Sequence, residues 1–252
     1  MQPGEVRAGD REPVHHIIVY VREPQPVRRP NVVSVRAIAN PQSAARPGGG
    51  DAMLVNWAVG EDAPIHPAGT AKRIPAGSTL IFQVHYTTNG TPGTDRSRIV
   101  LIFAKDAPGR EVRTGIIANA TFAIPPGASN HQVEAEATFL EDVDVWSMHP
   151  HMHLRGKDMT YTAIYPDGRR EIVLRVPKYD FGWQTDYWLA QPLRLPKGSK
   201  LHVNAHFDNS PANRANPDPK AIVRWGDQTW EEMMIGFFTY TVEGGTAESA
   251  SR

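Results

Sequence analysis

The sequence of 252 residues contains no cysteine. Disulfide bonds, cysteine-ligated zinc fingers, iron–sulfur clusters, thiolate nucleophiles and blue-copper thiolate sites are therefore excluded. The chain also lacks an excess of charge of either sign, because 27 Lys and Arg residues balance 27 Asp and Glu residues. A zero net charge without a basic run argues against nucleic acid as the main partner.

Long hydrophobic runs are absent as well. No apolar run reaches the length of about 18 residues that a membrane-spanning helix needs, so we expect no membrane span. The first ten residues, MQPGEVRAGD, contain no apolar segment, and we therefore expect no signal peptide in this chain.

Helical patterns are scarce, whereas the 22 Pro and 21 Gly residues are spread along the whole chain. Short apolar, β-branched runs recur between turn residues, such as HHIIVYV, STLIFQVHYTT, SRIVLIFA, REIVLRV, SKLHVNAHF and MMIGFFTYTV. Residues 14–22 are predicted to form a buried strand, and NGTPGTD is predicted to join strands at 79–88 and 98–105. Such a series of short strands indicates an all-β sandwich or barrel.

Two segments of the chain share one layout. IPAGSTLIFQVHY and LPKGSKLHVNAHF each place an apolar residue, Pro, Gly and Ser before a strand that carries histidine. IPPG at 124–127 resembles the turns that open them. This similarity indicates two related halves, and we expect two consecutive antiparallel β-sandwich domains of jelly-roll type.

The segment KDAPGRE, rich in turn and charged residues, is the predicted boundary between the halves. We expect an N-terminal domain at 1–112, a C-terminal domain at 113–243 and a disordered tail at 244–252. A sandwich half usually needs about seven strands, and the first half offers about five good candidates. We therefore expect the first domain to lack one or two leading strands.

Three sets of histidines stand out among the ten in the chain. His15 and His16 are neighbours and would face opposite sides of a regular strand, so one could be core and the other surface. A β-bulge, or the use of different ring nitrogens, would let both reach one metal ion. His85, in FQVHYTT, becomes interesting if it lies on the neighbouring strand, and is otherwise structural.

The third set is in MHPHMHLRGK, where His149, His151 and His153 alternate. Alternate residues of a strand share a face, and two histidines in His-x-His converge on a metal ion. The alternative is a solvated polar face. The other four histidines are predicted to be structural or at the surface: His66, His131, His202 and His206.

The type of metal depends on the third ligand. Carboxylates are poorly placed around the histidines, which makes a His/carboxylate zinc or iron site less attractive. The segment TWEEMMIGFFTY contains Met233 and Met234, and a thioether ligand would point to copper. Adjacent residues of a strand face opposite ways, so one methionine could be core and the other a ligand, although both could be core.

Four stretches in this order carry a resemblance to a known family: PVHHIIVYV, FQVHYTTNG, PHMHLRGKDM and WGDQTWEEMM. Together they resemble the copper type II, ascorbate-dependent monooxygenases, the family of peptidylglycine α-hydroxylating monooxygenase and dopamine β-monooxygenase. They look most like the bacterial branch, and the resemblance extends from about residue 13 to residue 240.

The resemblance implies two β-sandwich domains that each carry one copper. The electron-transfer copper would be bound by His15, His16 and His85. The copper at which dioxygen reacts would be bound by His151, His153 and Met233. Met233 is chosen over Met234 because the acidic residue before it matches the family pattern, and Gln83 matches a family position near the first copper.

The same resemblance implies the chemistry. Ascorbate, or a similar one-electron reductant, would reduce both coppers, and dioxygen would then hydroxylate an aliphatic C–H bond of a small-molecule substrate. Family members work outside the cytoplasm, which implies a periplasmic or secreted location. A redox domain could precede this chain in its full gene.

The sequence departs from the peptide-amidating member at three positions that bind the peptide carboxylate there. Those positions hold His149, Ile235 and Phe237, so a glycine-extended peptide is not the expected substrate. Ile235 and Phe237 suggest an apolar pocket, to which Arg155 could add charge. We expect His149 to line the pocket or to support a ligand, and not to bind the metal itself.

Two other functions remain open from the sequence. The chain could be a copper-binding or electron-transfer β-sandwich without turnover. It could also be a metal-dependent hydrolase or cupin-like enzyme that uses only the histidines at 149–153, in which case a carboxylate should lie close to His151 and Met233 should play no part.

Overall fold

The computed structural model describes residues 4–10, 12–24, 35–37, 52–58, 66–87 and 89–243. These residues form strands, turns and irregular segments, and they include no helix. Accordingly, no helix long and apolar enough to cross a membrane is found among them. The predicted all-β class is confirmed.

Seventeen strands are present in the part of the chain that the structure describes. They are β1 (Gly4–Arg7), β2 (Val14–Arg22), β3 (Val35–Ala37), β4 (Ala52–Ala58), β5 (Thr70–Ala71), β6 (Thr79–Tyr86), β7 (Arg98–Leu101), β8 (Arg110–Ala118), β9 (Ala123–Ile124), β10 (His131–Phe139), β11 (Val143–His151), β12 (Gly156–Ile164), β13 (Arg170–Val176), β14 (Tyr187–Leu195), β15 (Lys200–Phe207), β16 (Val223–Arg224) and β17 (Ile235–Val242).

The chain divides into two compact units. Unit 1 comprises Met1–Val32, Ala44–Thr114 and Tyr240–Arg252, and unit 2 comprises Val33–Ser43 and Gly115–Thr239. The main division falls two residues after the predicted boundary. Two segments do not belong to the unit that the sequence predicts for them. β3 pairs with β10 and belongs to unit 2, and the end of β17 belongs to unit 1. The predicted tail at 244–252 lies outside the described residues.

Unit 1 contains a three-stranded antiparallel sheet with β2 in the centre, between β4 and β6. β2 has the bounds predicted for a buried strand, and its side chains at Ile17, Val19 and Val21 are buried as its period of two requires. They pack with Leu54 and Trp57 in one hydrophobic cluster. The predicted lack of leading strands in this unit stays a prediction.

The strands on either side of NGTPGTD are present but do not pair with each other. β6 pairs with β2, and β7 pairs with β1. The connection between β6 and β7 covers residues 87–97, which is longer than the two to five residues or so that hold a hairpin in register. Turn residues alone therefore did not reveal the partner of either strand.

Unit 2 is a β-sandwich of two mainly antiparallel sheets. One sheet has the order β13-β12-β15-β10-β3, and the other contains β14, β11, β17 and β8 in that order. β15 turns Leu201, Val203, Ala205 and Phe207 inward, and the two sheets meet, for example, at Phe139 and Phe238, with ring centroids 5.7 Å apart. The core is thus built from the inner faces of both sheets.

Gly236 allows β17 to approach the opposite sheet of unit 2 closely. A Cβ atom at this position would lie 2.8 Å from Cγ2 of Val203 and 3.1 Å from the Tyr161 ring. No side chain fits there without a shift of these core residues. The residues that flank Gly236 on its strand, Ile235 and Phe237, are only half-buried and face away from the core.

Four turns share the sequence Pro-x-Gly followed by Thr, Ser or Ala, and they include the three turns predicted from the sequence. In each, the N–H after the glycine donates to the proline carbonyl at 3.0–3.4 Å. In each, the glycine has a positive φ, between 70° and 88°, as the third position of a type II turn requires. The glycines are Gly69, Gly77, Gly127 and Gly198.

We expect Gly198→Ala to lower the free energy of unfolding by about 1–2 kcal/mol, because an L-residue with a Cβ is disfavoured at positive φ. A new Cβ there would meet only Cγ of Pro166, at 3.6 Å, so crowding adds little. Urea denaturation measures the change. Lys197→Ala, in the same turn at negative φ, is the control and should change stability little; equal losses in the two variants would contradict the prediction.

Candidate metal centres

The first histidine cluster lies in unit 1, at a β-bulge in β2. Val14 pairs with Tyr86 and His16 pairs with His85, so the register shifts and His15 is the extra residue. Such an extra residue can turn two consecutive side chains to one face. Val14 and Ile17 on either side are buried, whereas His15 and His16 are both half-buried. The bulge thus removes the objection that neighbouring residues face opposite ways.

The three imidazoles of this cluster are close together. The Nδ1 atoms of His15 and His16 lie 2.9 Å apart, and the rings of His16 and His85 stack with centroids 3.9 Å apart. Two nitrogens can be this close on one ion, since each metal–nitrogen bond is about 2.0–2.1 Å long. Burial, and then the nearby His85, lower the pKa of His15, which favours the neutral ring that binds metals.

The donor types of this cluster fit a metal ion, but the rings are not yet arranged around one. Among the described residues, no three His, Asp or Glu side chains form a group that could hold a metal ion as they stand. In unit 1 the rings of His16 and His85 are stacked at 27°, an arrangement that differs from imidazoles spread around one ion.

Gln83 lies on the same strand as His85, two residues before it, and so on the same face of the sheet. Its side-chain oxygen accepts a hydrogen bond from the Tyr20 hydroxyl at 3.2 Å. The residue therefore shares a sheet face with His85, and Tyr20 orients its side chain. Its expected role near a copper stays a prediction.

The second cluster lies in unit 2, at the end of β11. His151 is the last residue of the strand, and His153 follows in the connection to β12. Their rings meet edge to face, with centroids 5.3 Å apart and an angle of 89°. His149 and His151 both lie beside the Phe237 ring, at 5.9 and 6.3 Å, so they share one side of the sheet.

Both rings of the His151–His153 pair use Nδ1 to contact the protein. Nδ1 of His151 lies 2.7 Å from the side-chain oxygen of Gln184, and Nδ1 of His153 lies 3.3 Å from the main-chain oxygen of Glu231. A carbonyl oxygen only accepts hydrogen bonds, so each Nδ1 carries the proton. In the neutral ring this arrangement leaves the lone pair on Nε2, which is the donor that a metal ion needs.

Glu232 connects this pair to the methionine segment. Its carboxylate is fully buried and accepts hydrogen bonds from the main-chain N–H of His153 at 2.8 Å, of Arg155 at 2.6 Å and of Met233. Burial raises the pKa of Glu232 to about 8, although these donors and the Arg155 charge act in the opposite direction. One carboxylate thus holds the main chain of His153 next to that of Met233.

The two methionines differ in burial as the alternation of a strand predicts. Met234 is completely buried in the core, whereas Met233 is half-buried and precedes the outward-facing Ile235 and Phe237. Met234 is therefore the core residue, and Met233 is the less buried thioether of the two. The choice of Met233 as a metal ligand stays a prediction.

Arg155 does not offer its charge to a pocket, in contrast to the suggestion from the sequence. Its side chain is 1% exposed, and its guanidinium donates to the Asn209 side chain at 2.9 Å and to the main-chain oxygens of Trp230 and Asp218 at 2.9 and 3.5 Å. A guanidinium whose donors are used in this way holds the loops together. The main-chain N–H of Arg155 and that of His153 donate to the two oxygens of the Glu232 carboxylate.

His149 is nearly buried and lies between Phe237 and a carboxylate. Its Nδ1 is 3.5 Å from Oδ1 of Asp186, and its ring meets Phe237 edge to face. The expected role of His149 in lining a pocket stays a prediction. The alternative of a metal-dependent hydrolase predicts a carboxylate close to His151. Nδ1 of His151 instead contacts the amide oxygen of Gln184.

The outer face of β15 carries two of the remaining histidines. Nδ1 of His206 lies 2.7 Å from Asp158, and Nε2 of His202 lies 3.6 Å from Glu134, each on a neighbouring strand. They are paired residues of the sheet surface, as the sequence indicated.

Three residues that contact the second cluster were not predicted from the sequence as parts of it. Gln184 and Asp186 lie in the connection between β13 and β14, far from MHPHMHLRGK in the sequence, and no local pattern marks them. Glu232 did carry a signal, because it is the acidic residue directly before Met233. A carboxylate just before an apolar strand is expected to be buried, and a buried carboxylate needs hydrogen-bond donors around it.

A cavity of about 250 Å³ adjoins the same connection. Its walls combine aromatic rings with one Lys and one Asp. The lining residues are Pro150, Val176, Lys178, Tyr179, Asp180, Trp183, Thr185 and Tyr187.

Comparisons with known proteins add little. No protein-family model and no curated protein matches the chain. It is similar to the crystal structure of the infectious bursal disease virus VP2 subviral particle, with 11% identity and a TM-score of 0.28, over 97% of this chain and 56% of that chain. For the structure of the Gx strain of that virus, identity is 12% and the TM-score 0.23, over 97% and 58% of the chains. This chain thus spans little more than half of these proteins, and such TM-scores support no conclusion.

We expect Glu232→Ala to lower the free energy of unfolding by about 2–4 kcal/mol, because it leaves the buried main-chain N–H groups of His153 and Arg155 without an acceptor. Glu232→Gln keeps one acceptor oxygen and should lose less. The control is Glu231→Ala, since the Glu231 side chain bonds only an exposed N–H of Gln228 here. Urea denaturation compares the three variants, and equal losses for Glu231→Ala and Glu232→Ala would refute the role of Glu232.

Proposed function

We propose that this chain is a copper-dependent monooxygenase that hydroxylates an aliphatic C–H bond of a small molecule, with dioxygen and an ascorbate-type reductant. The observation that supports it best is the pair of imidazoles at His151 and His153. Both Nδ1 atoms contact acceptors, which favours an unprotonated Nε2 in each ring. Glu232 accepts from the main-chain N–H groups of His153 and Met233, and so joins the imidazole segment to the thioether segment.

The donor set selects the metal. Two neutral imidazoles and a thioether favour Cu(I) over harder ions, which prefer oxygen ligands. Copper bound here would supply one-electron redox chemistry and the reduction of dioxygen. The protein residues contribute neutral ligands in a fixed tautomer, since their Nδ1 atoms are held by acceptors of the protein.

The cluster in unit 1 fits the second copper of the proposal. It consists of imidazoles alone, at His15, His16 and His85, and a set of like ligands suits electron transfer because it needs little change between oxidation states. The bulge in β2 supports this assignment, because an extra residue at His15 can turn both neighbouring histidines to the face of His85.

The surroundings of His151 suit an apolar substrate. Phe237 lies against both His149 and His151, and Ile235 lies on the same side of β17. Such side chains exclude water and can contact an aliphatic group, while His149 and Asp186 offer polar contacts. One oxygen atom of dioxygen enters the C–H bond and the other leaves as water, with two electrons from the reductant and two protons balancing the reaction. The family resemblance adds an extracytoplasmic location.

The stoichiometry of copper binding tests the two-site arrangement. Equilibrium dialysis should give two coppers for each chain, and one for His85→Ala, which removes a ligand from unit 1. His202→Ala is the matched control, because His202 is a paired histidine of the sheet surface, and it should keep two. A single copper in the unaltered chain would count against two sites.

The thioether tests the reaction site. Met233→Leu keeps the volume but removes the sulfur, and we expect ascorbate-driven oxygen consumption by the copper-loaded chain to fall at least about tenfold, as is usual when a metal site loses a supporting group. Met53→Leu, at a half-buried methionine of β4, should leave the rate unchanged. Two bound coppers without oxygen consumption would instead indicate a copper-binding or electron-transfer protein, and an active Met233→Leu variant would refute the assigned ligand.

A further inference from the structure

The amide of Gln184 has a defined orientation against His151. The side chain is 6% exposed, its nitrogen donates to the main-chain oxygen of Phe181 at 3.0 Å, and its oxygen lies 2.7 Å from Nδ1 of His151. A flipped amide would place its oxygen against the main-chain oxygen of Phe181, and two acceptors cannot form a hydrogen bond. The contact to Phe181 therefore ensures that an acceptor, and not a donor, faces His151.

Gln184 belongs to a short turn that contacts both imidazoles. The turn is closed by Asp180, whose main-chain oxygen accepts from the N–H of Trp183 at 3.0 Å and whose carboxylate accepts from the N–H of Gly182 at 2.8 Å. Phe181, in the same turn, meets the ring of His153 edge to face at 6.0 Å. The turn at residues 180–184 thus contacts His151 by a hydrogen bond and His153 by ring packing.

The two histidines depend on different kinds of acceptor. His153 uses the main-chain oxygen of Glu231, which no substitution of that side chain removes. His151 uses the side chain of Gln184, which a single substitution can remove. The tautomer of His151 can therefore be changed while that of His153 serves as an internal reference.

We propose that Gln184 is a positioning residue that fixes His151 in the Nδ1–H tautomer and so presents Nε2 to the metal. The consequence for copper rests on the proposed function, whereas the tautomer itself is a property of the metal-free chain. The turn around Asp180 acts through Gln184, because it provides the carbonyl that orients the amide.

Two variants of the full chain distinguish the effect of the hydrogen-bond acceptor at position 184 from the effect of side-chain volume. Gln184→Leu removes the acceptor at similar size, and Gln184→Glu keeps an acceptor oxygen. In the metal-free protein, the ¹⁵N chemical shifts of the two ring nitrogens report which of them carries the proton. We expect His151 to be the Nδ1–H tautomer in the parent chain and in Gln184→Glu, and to lose this preference in Gln184→Leu, with His153 unchanged in all three.

Copper affinity gives the second measurement. Competition for Cu(I) with a chromophoric chelator should show about 10–100-fold weaker binding in Gln184→Leu, the usual effect of losing a residue that orients a metal ligand. Gln184→Glu should restore most of the affinity. If Gln184→Leu does not fold, as urea denaturation will show, Gln184→Met replaces it, because a thioether is only a weak acceptor.

The outcomes distinguish this proposal from the proposed function. An unchanged His151 tautomer in Gln184→Leu overturns the positioning role, whatever the chain does with copper. A changed tautomer in a chain that binds no copper overturns the monooxygenase and supports the positioning role. A changed tautomer with undiminished Cu(I) affinity overturns the claim that the tautomer prepares His151 for the metal.

Discussion

The second histidine cluster depends on one buried carboxylate. Glu232 accepts the main-chain N–H groups of His153, Arg155 and Met233, although it lies 79 positions from His153 in the sequence. A buried carboxylate is costly unless donors surround it, and here the donors are main-chain groups of the loops it must hold. The same bonds that make Glu232 tolerable in the core therefore fix the distance between the imidazole segment and the thioether segment.

The two units bring imidazoles together by different local means. In unit 1, a bulge at His15 turns two consecutive residues to one face, and strand pairing places His85 opposite His16. In unit 2, the strand ends at His151, so His153 lies outside the alternating pattern of β11. Its ring can therefore meet the His151 ring at nearly a right angle. A break in regular β-structure is what allows the neighbouring rings to converge in both cases.

Much of the fold could be predicted where the physics is local. The period of two in β2 and β15, and the positive φ of glycine in the Pro-x-Gly turns, depend only on nearby residues. The partners of β6 and β7 and the pairing of β3 with β10 could not be predicted, because any exposed strand edge can accept another strand. The prediction that Arg155 offers its charge to a pocket was wrong, because the acceptors of its guanidinium come from distant loops.

The sequence by itself determined which side chains are available: ten histidines, no thiolate, and a methionine after an acidic residue in an apolar strand. It also determined that the histidines at 149, 151 and 153 lie along one segment. Only the tertiary structure decided which of them face acceptors through Nδ1, because Gln184 and Glu231 reach the rings from other parts of the chain. A tautomer depends on the partner of the other ring nitrogen, and that partner exists only once the chain has folded.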